Sequence, residues 1–175
     1  MEKFNKGYIH IYTGNGKGKT TAALGLALRA AGSGMKVFIA QFIKGMKYSE
    51  IKALQNYSTN IKVKQYGKGC FVFREPSEED CDYAKKGLLE VEKIIKSKSF
   101  DLIILDEINI AVALNLIDVE DILKIMEEKP EELELVLTGR YAHKKLIKKA
   151  DLVTEMKEIK HYYQEGVMAR TGIER

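Results

Sequence analysis

The sequence predicts an α/β fold: a single domain, residues 1–175, built on a doubly wound, mainly parallel six-stranded sheet. Apolar strand-like runs alternate with helix-like segments along the chain, which is the pattern of a parallel sheet with helices on its faces. The length of 175 residues fits one domain with a substantial core. No repeat, low-complexity tract or linker divides the sequence.

Six segments have the composition of strands. YIHIYT at 8–13 is rich in β-branched and aromatic residues, and DLIILD at 101–106 is a continuous apolar run that ends in a carboxylate. The other four are KVFIAQFI (36–43), IKVKQY (61–66), LELVLT (133–138) and DLVTEMKEI (151–159).

Four segments between these strands have helical signals. Residues 20–31 are apolar nearly all round apart from Arg29, which predicts a buried helix that ends at Gly32. Residues 77–98 predict an amphipathic helix with Ser77 as its N-cap. The two remaining helices are predicted at 118–128 and 142–150. Residues 160–175 show neither the helical nor the strand period, so they are predicted to form a C-terminal surface tail that can become ordered when a ligand binds.

The bulk composition sets broad limits on function. A net charge of +4 and a pI near 8.9 suit an anionic small molecule as well as nucleic acid, and decide neither. Cys70 and Cys81 give no disulfide framework and too few thiolates for a four-cysteine zinc site, and the three histidines have no metal-ligand spacing. No apolar run approaches the ~18 residues of a membrane span, and residues 1–7 lack a signal-peptide core. We therefore expect a cytoplasmic protein without a membrane partner.

A glycine-rich turn, TGNGKGKTT at 13–21, joins the first strand to the first helix. This is the context of a phosphate-binding loop, although Thr13 stands where the pattern G-x-x-x-x-G-K-[ST] has its first glycine. Glycines let successive backbone N–H groups turn toward one anion, and the helix that follows adds its positive N-terminus. Gly14, Gly16 and Gly18 are therefore predicted to form an anion cradle.

The polar residues of this turn have separate expected roles. Lys19 is a positive charge for the phosphates, the Thr20 hydroxyl is a magnesium ligand, and Thr21 offers a further hydroxyl. Lys17 either contacts phosphate or faces solvent. A dinucleotide G-x-G-x-x-G motif fails here because lysine stands at position 19; a structural glycine turn without a ligand is the remaining alternative.

A pair of carboxylates, Asp106 and Glu107, follows the apolar strand in LIILDEIN (102–109). Ligands of open α/β sheets bind at the carboxyl edge of the strands, and magnesium prefers oxygen ligands there. As an alternative, Asp106 caps the next helix. Together, the loop and the carboxylates predict a site for a nucleoside triphosphate with magnesium.

The motifs TGNGKGKTTAALGLALRA, QFIKG, LDE, LTGR and KH…G…A…GIE occur in that order and span about residues 8–174. In this order they resemble the P-loop type cob(I)alamin (corrinoid) adenosyltransferase family, including the unusual Thr13. The resemblance implies a RecA-like P-loop nucleotide-binding fold. It also implies transfer of the 5′-deoxyadenosyl group of ATP to Co(I) of a reduced corrinoid, with release of triphosphate.

The resemblance also implies roles for particular residues. Thr20 and Glu107 would serve Mg²⁺, with Asp106 as a partner of that metal site, and Asn15 would orient the nucleotide. Lys19, the backbone amides of 14–19 and Arg29 would stabilise the departing triphosphate. Further positions match the family: Phe71 and Phe73 toward the corrinoid, Gln41 and Lys44 for a polar contact at the end of the second strand, and Glu50, Lys160, His161 and Gly166 without an assigned role.

Partners follow from the same resemblance: ATP, cob(I)alamin or another corrinoid, a reducing flavoprotein and a second copy in a homodimer. Two other functions stay open. A RecA-like ATPase acting on nucleic acid would use the lysine-rich segment 144–149, but this segment is most simply the solvated face of one helix, so a nucleic-acid partner is not expected. A small-molecule kinase would need an arginine-rich lid, which the sequence does not show.

Overall fold

The core of the protein is one sheet of six strands in the order β3-β2-β4-β5-β1-β6, and every pairing between neighbouring strands is parallel. The computed structural model describes residues 5–45, 49–57, 59–67 and 76–174. The strands are β1 (Ile9–Thr13), β2 (Val37–Phe42), β3 (Ile61–Tyr66), β4 (Leu102–Asp106), β5 (Glu134–Thr138) and β6 (Leu152–Glu155). The predicted α/β fold class with six strands is confirmed.

Register brings the ends of the central strands together. Gln41 of β2 pairs with Asp106 of β4, while Tyr12 of β1 pairs with Thr138 of β5. Parallel strands that end in register place their last residues at one edge of the sheet. Every residue of β2 and β4 is buried, so these polar strand ends are set in an apolar surround.

Helices cover both faces of the sheet. They are α1 (Lys19–Gly32), α2 (Ser49–Tyr57), α3 (Glu78–Lys96), α4 (Ile108–Ala113), α5 (Val119–Glu128) and α6 (Lys144–Lys149). One apolar cluster packs α1 and α2 on one face, and a larger cluster packs the other four helices on the opposite face. This arrangement is the predicted doubly wound one.

The predicted helix starts are confirmed where a side chain caps the backbone. The Ser77 side chain accepts a hydrogen bond from the N–H of Asp80, and Asp80 bonds back to the N–H of Ser77, which closes a capping box at the start of α3. Asp118 accepts from the N–H of Glu120 and begins α5 in the same way.

Three parts of the fold differ from the sequence prediction. Helix α1 is not buried all round: Ala23 and Ala27 face the sheet, whereas Leu28 is 52% exposed, because only one layer of helices covers this face. Strand β6 ends at Glu155 rather than at residue 159. Helices α2 and α4 were not predicted.

Residues after β6 are mostly exposed and form a short 3-10 helix, Tyr162–Glu165, that the sequence did not predict. No helix within the described ranges has the length and apolar character needed to cross a membrane.

Candidate nucleotide and metal site

The glycine-rich turn between β1 and α1 is held against the chain that leaves β6. Gly14 and Gly18 have φ angles of 96° and 115°, which favour glycine, and the N–H of Gly16 donates to the carbonyl of Met156 at 2.7 Å. A Cβ atom on Gly14 would lie 2.4 Å from that same carbonyl oxygen. The turn therefore requires glycine at position 14, because the chain that follows β6 passes directly beside it.

Thr13 departs from the usual loop pattern because it is the last residue of β1. Its carbonyl accepts the N–H of Met156 at 2.8 Å, and its hydroxyl accepts the N–H of Ala142 at 3.3 Å. A buried strand residue with a bonded side chain suits threonine, and the glycine is needed one residue later.

Lys19 lies inside the turn. Its Nζ donates to the carbonyls of Gly14 and Gly16, each at 2.7 Å, and the residue is only 8% exposed. Burial lowers the pKa of this ammonium. The turn therefore holds one desolvated positive charge at the N-terminus of α1, an arrangement that favours an anion.

Asp106 is the centre of the polar cluster at the edge of the sheet. This carboxylate is 1% exposed and accepts hydrogen bonds from four side chains. Thr20 Oγ1 and Thr138 Oγ1 donate to its Oδ1 at 2.9 and 2.7 Å, and Gln41 Nε2 and Lys44 Nζ donate to its Oδ2 at 3.0 and 2.9 Å. A buried charge is tolerated only when it is paired and fully hydrogen-bonded, as it is here. Thr20 thereby ties the loop to the end of β4.

Glu107 begins α4 in a left-handed conformation, with φ at 61°. Its backbone N–H donates to Thr138 Oγ1 at 3.0 Å, and its side chain is 24% exposed. Burial, together with the neighbouring Asp106 carboxylate, raises the pKa of Glu107. Because Glu107 rather than Asp106 is the N-cap residue of α4, the alternative in which Asp106 caps the helix is wrong.

Lys44 follows β2 and extends into the same cluster. Its Nζ lies 2.9 Å from Asp106 Oδ2, 3.3 Å from Thr20 Oγ1 and 3.8 Å from Glu107 Oε1. Burial would lower the pKa of Lys44, but the two carboxylates outweigh it and raise this pKa. Lys44 thus lies among all three of the predicted metal ligands.

The C-terminal tail reaches the loop through Lys17. Lys17 Nζ donates to Glu174 Oε1 at 2.7 Å and to the Tyr162 hydroxyl at 3.2 Å. Glu174 also accepts a hydrogen bond from the Tyr162 hydroxyl, and at 2.8 Å from the N–H of Arg170. Arg170 and then Lys17 hold the pKa of Glu174 well below its usual range. Lys17, predicted to face either phosphate or solvent, contacts the tail.

Other predicted residues lie apart from this cluster or outside the described residues. Arg29 is in the last turn of α1, about 15 Å along the helix axis from Lys19 at about 1.5 Å per residue. Asn15 and Thr21 lie in or beside the loop and are exposed. Phe71 and Phe73 lie outside the described residues.

Sequence reasoning assigned no role to Thr138, although its hydroxyl joins Asp106 to the backbone of Glu107. The sequence did contain a signal for this role, because Thr138 ends a predicted strand in the motif LTGR. The carboxyl ends of parallel strands lie at one edge of the sheet, which places Thr138 at the same edge as Asp106. Gln41 and Lys44 were expected only to make a polar contact; the structure places both on Asp106.

The residues present fit a magnesium ion. One hydroxyl and two carboxylates converge, from Thr20, Asp106 and Glu107, and oxygen donors are what this cation takes. A cationic group, the Lys44 ammonium, already lies among these oxygens. The described residues hold no cluster of three or more His, Cys, Asp or Glu side chains, so such a site relies on Thr20 and on oxygens of a bound nucleotide.

Comparisons with known proteins agree on one family. The model of the family described as ATP:corrinoid adenosyltransferase BtuR/CobO/CobP matches residues 5–175. The chain is 34% identical over 171 residues to the corrinoid adenosyltransferase of Escherichia coli K12, covering 97% of this chain and 86% of that protein. It is 37% identical over 172 residues to the corrinoid adenosyltransferase of Sinorhizobium sp, covering 97% and 80% respectively. A similar relative is corrinoid adenosyltransferase CobA of Salmonella typhimurium LT2, with 33% identity over 171 residues, 97% of this chain and 86% of the relative.

Proposed function

Because the chain belongs to the ATP:corrinoid adenosyltransferase BtuR/CobO/CobP family, we propose that it transfers the 5′-deoxyadenosyl group of ATP to a reduced corrinoid. In the balanced reaction, the Co(I) electron pair forms a bond to the ribose C5′ carbon. The C5′–O bond to the triphosphate breaks, and inorganic triphosphate leaves with that oxygen and its electron pair. No oxidant or external base is consumed.

The observation that carries this proposal is the Thr20–Asp106 hydrogen bond of 2.9 Å. It joins the anion-binding turn at the start of α1 to the carboxylates at the end of β4. A triphosphate in the turn would therefore lie beside the residues able to hold its metal ion. This arrangement supports ATP as the substrate class and Mg²⁺ as the cofactor.

The chain's main chemical task is to stabilise a highly charged leaving group. Lys19, which is only 8% exposed, and the backbone N–H groups of 14–19 other than that of Gly16 would present positive charge to the triphosphate. To reach a phosphate oxygen, Lys19 exchanges at least one of its two carbonyl acceptors. Mg²⁺ bound at Thr20 and Glu107, with Asp106 behind them, would supply further positive charge to the phosphate oxygens.

Glu107 acts in this proposal as a metal ligand rather than as a general base. The corrinoid is itself the nucleophile, so no water or hydroxyl needs to lose a proton. Asn15, which is exposed at the loop, is proposed to orient the nucleotide. Arg29 remains a proposed anion contact, although it lies at the other end of α1.

Phe71 and Phe73 are proposed to face the corrinoid. A flavoprotein reductant and a homodimer likewise remain proposals from the family resemblance, and cytoplasmic location remains a proposal from the composition of the sequence.

The decisive experiment is product analysis. The protein is incubated with ATP, Mg²⁺ and chemically reduced cobalamin, and the phosphorus products are identified by ³¹P NMR while the corrinoid spectrum is followed. We expect inorganic triphosphate and light-sensitive adenosylcobalamin in equal amounts. Formation of ADP and phosphate without an adenosylated corrinoid would overturn the proposal and favour an ATPase; ADP with a phosphorylated acceptor would favour a kinase.

The structure gives no support to the nucleic-acid alternative in segment 144–149. Lys145 and Lys149 of α6 pair with Glu120 and Glu127 of α5. These lysines are partly neutralised within the protein, as expected of a solvated helix face.

A further inference from the structure

The Lys44 ammonium occupies the position where a metal ion would contact Thr20, Asp106 and Glu107. Its three distances to their oxygens are 3.3, 2.9 and 3.8 Å. Mg²⁺ binds oxygen at about 2.0–2.1 Å and takes a full octahedron of ligands. An ammonium and a magnesium ion therefore cannot lie among these three oxygens at the same time.

The backbone that presents Lys44 is strained. Ile43 has a φ of 67°, a conformation rare for a β-branched residue, and the N–H of Lys44 donates to the carbonyl of Phe42 at 2.7 Å. An i to i+2 hydrogen bond around a residue of positive φ is a γ-turn of the rare, strained kind. Strain of this type persists only where the surroundings enforce it, and it is concentrated at functional sites.

The end of β3 enforces this turn. The N–H of Ile43 donates to the carbonyl of Tyr66 at 3.1 Å. Gly67 follows Tyr66 in the chain. A Cβ atom on Gly67 would lie 2.6 Å from the carbonyl carbon of Ile43 and 3.0 Å from the backbone nitrogen of Lys44. Only glycine at position 67 allows β3 to pack so closely on the turn that directs Lys44 to Asp106.

We propose that Lys44 is a positioning residue that holds the magnesium position between turnovers and is displaced when the metal enters with ATP. This inference deepens the proposed function and rests on it, since it takes Thr20 and Glu107 as the magnesium ligands. Before the metal binds, the ammonium keeps two adjacent carboxylates, Asp106 and Glu107, from repelling one another. Once displaced, its charge is free to contact the triphosphate.

The exchange has a measurable consequence for metal binding. A metal ion that binds without a nucleotide must first break the contacts of Lys44 with Asp106 and Thr20, so binding should be weak. A metal ion that enters with ATP brings phosphate oxygens that accept from the lysine. Lys44 thus makes the site selective for the metal–nucleotide complex over the free metal ion.

The test measures binding of free Mn²⁺, counted by electron paramagnetic resonance, to the protein without nucleotide. Lys44→Met removes the competing charge and keeps much of the side-chain volume, so Mn²⁺ affinity should rise about tenfold or more, given the Coulomb energy of a unit charge at about 4 Å. Lys64→Met is the matched control, because Lys64 is 51% exposed and pairs with Glu90 away from the site. The affinity of the Lys64→Met variant for Mn²⁺ should equal that of the unmodified protein.

An affinity of Lys44→Met for Mn²⁺ equal to or below that of the unmodified protein would overturn the inference. A merely structural role for Lys44 predicts that outcome, since damage to the site weakens metal binding. Lys44→Arg supplies a second arm if Lys44→Met does not fold: it keeps the charge and should bind Mn²⁺ no more tightly than the unmodified protein. Tighter binding by Lys44→Arg would also overturn the inference.

This measurement is independent of the adenosyl-transfer assay. If transfer fails but Lys44→Met binds Mn²⁺ more tightly, the proposed reaction is wrong and the lysine–metal exchange stands. If transfer succeeds but metal affinity does not rise, the exchange alone is wrong.

Discussion

The hydroxyl of Thr138 lies 2.7 Å from the buried carboxylate of Asp106, and it accepts the backbone N–H of Glu107 at 3.0 Å. One side chain on β5 therefore fixes both carboxylate residues at the end of β4. Its position follows from strand order, because β5 lies between β4 and the strand that carries the loop. This contact leads to the first of five predictions.

Replacing Thr138 with valine removes the hydroxyl and keeps the shape of the side chain. The N–H of Glu107 then loses its acceptor and Asp106 loses a donor, so the free energy of unfolding should fall by about 1–3 kcal/mol. If Asp106 and Glu107 serve the metal ion as proposed, the affinity for Mn²⁺ and the rate of triphosphate release should each fall roughly 10- to 100-fold. Urea unfolding, Mn²⁺ binding and triphosphate release measure the three effects.

Thr154→Val is the control for this experiment. Thr154 is exposed on β6, and the same change there should shift stability by no more than about 0.5 kcal/mol. Equal losses at both positions would show that valine, rather than the lost hydroxyl, causes the effect.

Glu107→Gln should stabilise the protein at neutral pH while abolishing activity. Folding raises the pKa of Glu107, so protonation of this carboxyl stabilises the folded protein. The resulting contribution to the free energy of unfolding is complete below the ordinary carboxyl pKa of about 4.3, and it is lost as the pH rises through the pKa of the folded state. The neutral amide avoids that loss. The stability difference in favour of Glu107→Gln should therefore grow from about pH 4 toward neutrality, measured by urea unfolding across this range. A difference independent of pH would contradict the shifted titration.

Lys19→Met should abolish most turnover. The ammonium is the one side-chain charge that the loop encloses among its described residues, and removal of a preorganised donor of this kind costs about 10²–10³ in rate. Initial rates of triphosphate release measure the effect. Lys124→Met, at an exposed position of α5, should retain the full rate, and a comparable loss there would point to a general effect of net charge.

Gly14→Ala should disrupt the loop, because its Cβ would lie 2.4 Å from the carbonyl oxygen of Met156 and its φ is 96°. We expect lower nucleotide affinity by calorimetry and lower thermal stability. Gly25→Ala is the matched control, since a Cβ there meets nothing within 4 Å. In the middle of α1, this change should stabilise the protein by about 0.5–1 kcal/mol. Destabilisation by both substitutions would contradict the explanation by close contact.

Glu174→Gln should release the tail from the loop. The carboxylate pairs with Lys17 and Arg170, and its pKa is lowered, so the contact is present at neutral pH and is lost as the pH falls through the folded pKa. Cleavage by trypsin after Lys160 and Arg170 should become faster. Glu165→Gln is the control for cleavage after Arg170: Glu165 pairs with Lys160 rather than with Lys17, so this rate should change little. Equal acceleration in both variants would show that Glu174 does not hold the tail in place.

Local patterns predicted those features of the candidate site that depend on neighbouring residues. Gly14, Gly16 and Gly18 indicated an anion cradle because glycine permits the positive φ that two of them adopt. Asp106 was placed at the sheet edge because a buried parallel strand ends there. The prediction failed where a single residue reports little about its surroundings, as at Leu28, whose exposure depends on how many helices cover the sheet.

Local residue patterns were enough to predict the six-stranded parallel fold, the glycine turn with Lys19 and Thr20, the carboxylates that follow β4, and the resemblance to the family. Strand order and packing decided the rest: that Thr138 and Lys44 meet at Asp106, and that the tail reaches Lys17. The physical reason is distance along the chain. A turn or a strand is set by the φ and ψ preferences of adjacent residues, whereas Lys44 and Asp106 are 62 positions apart and meet only because β2 and β4 pair in register.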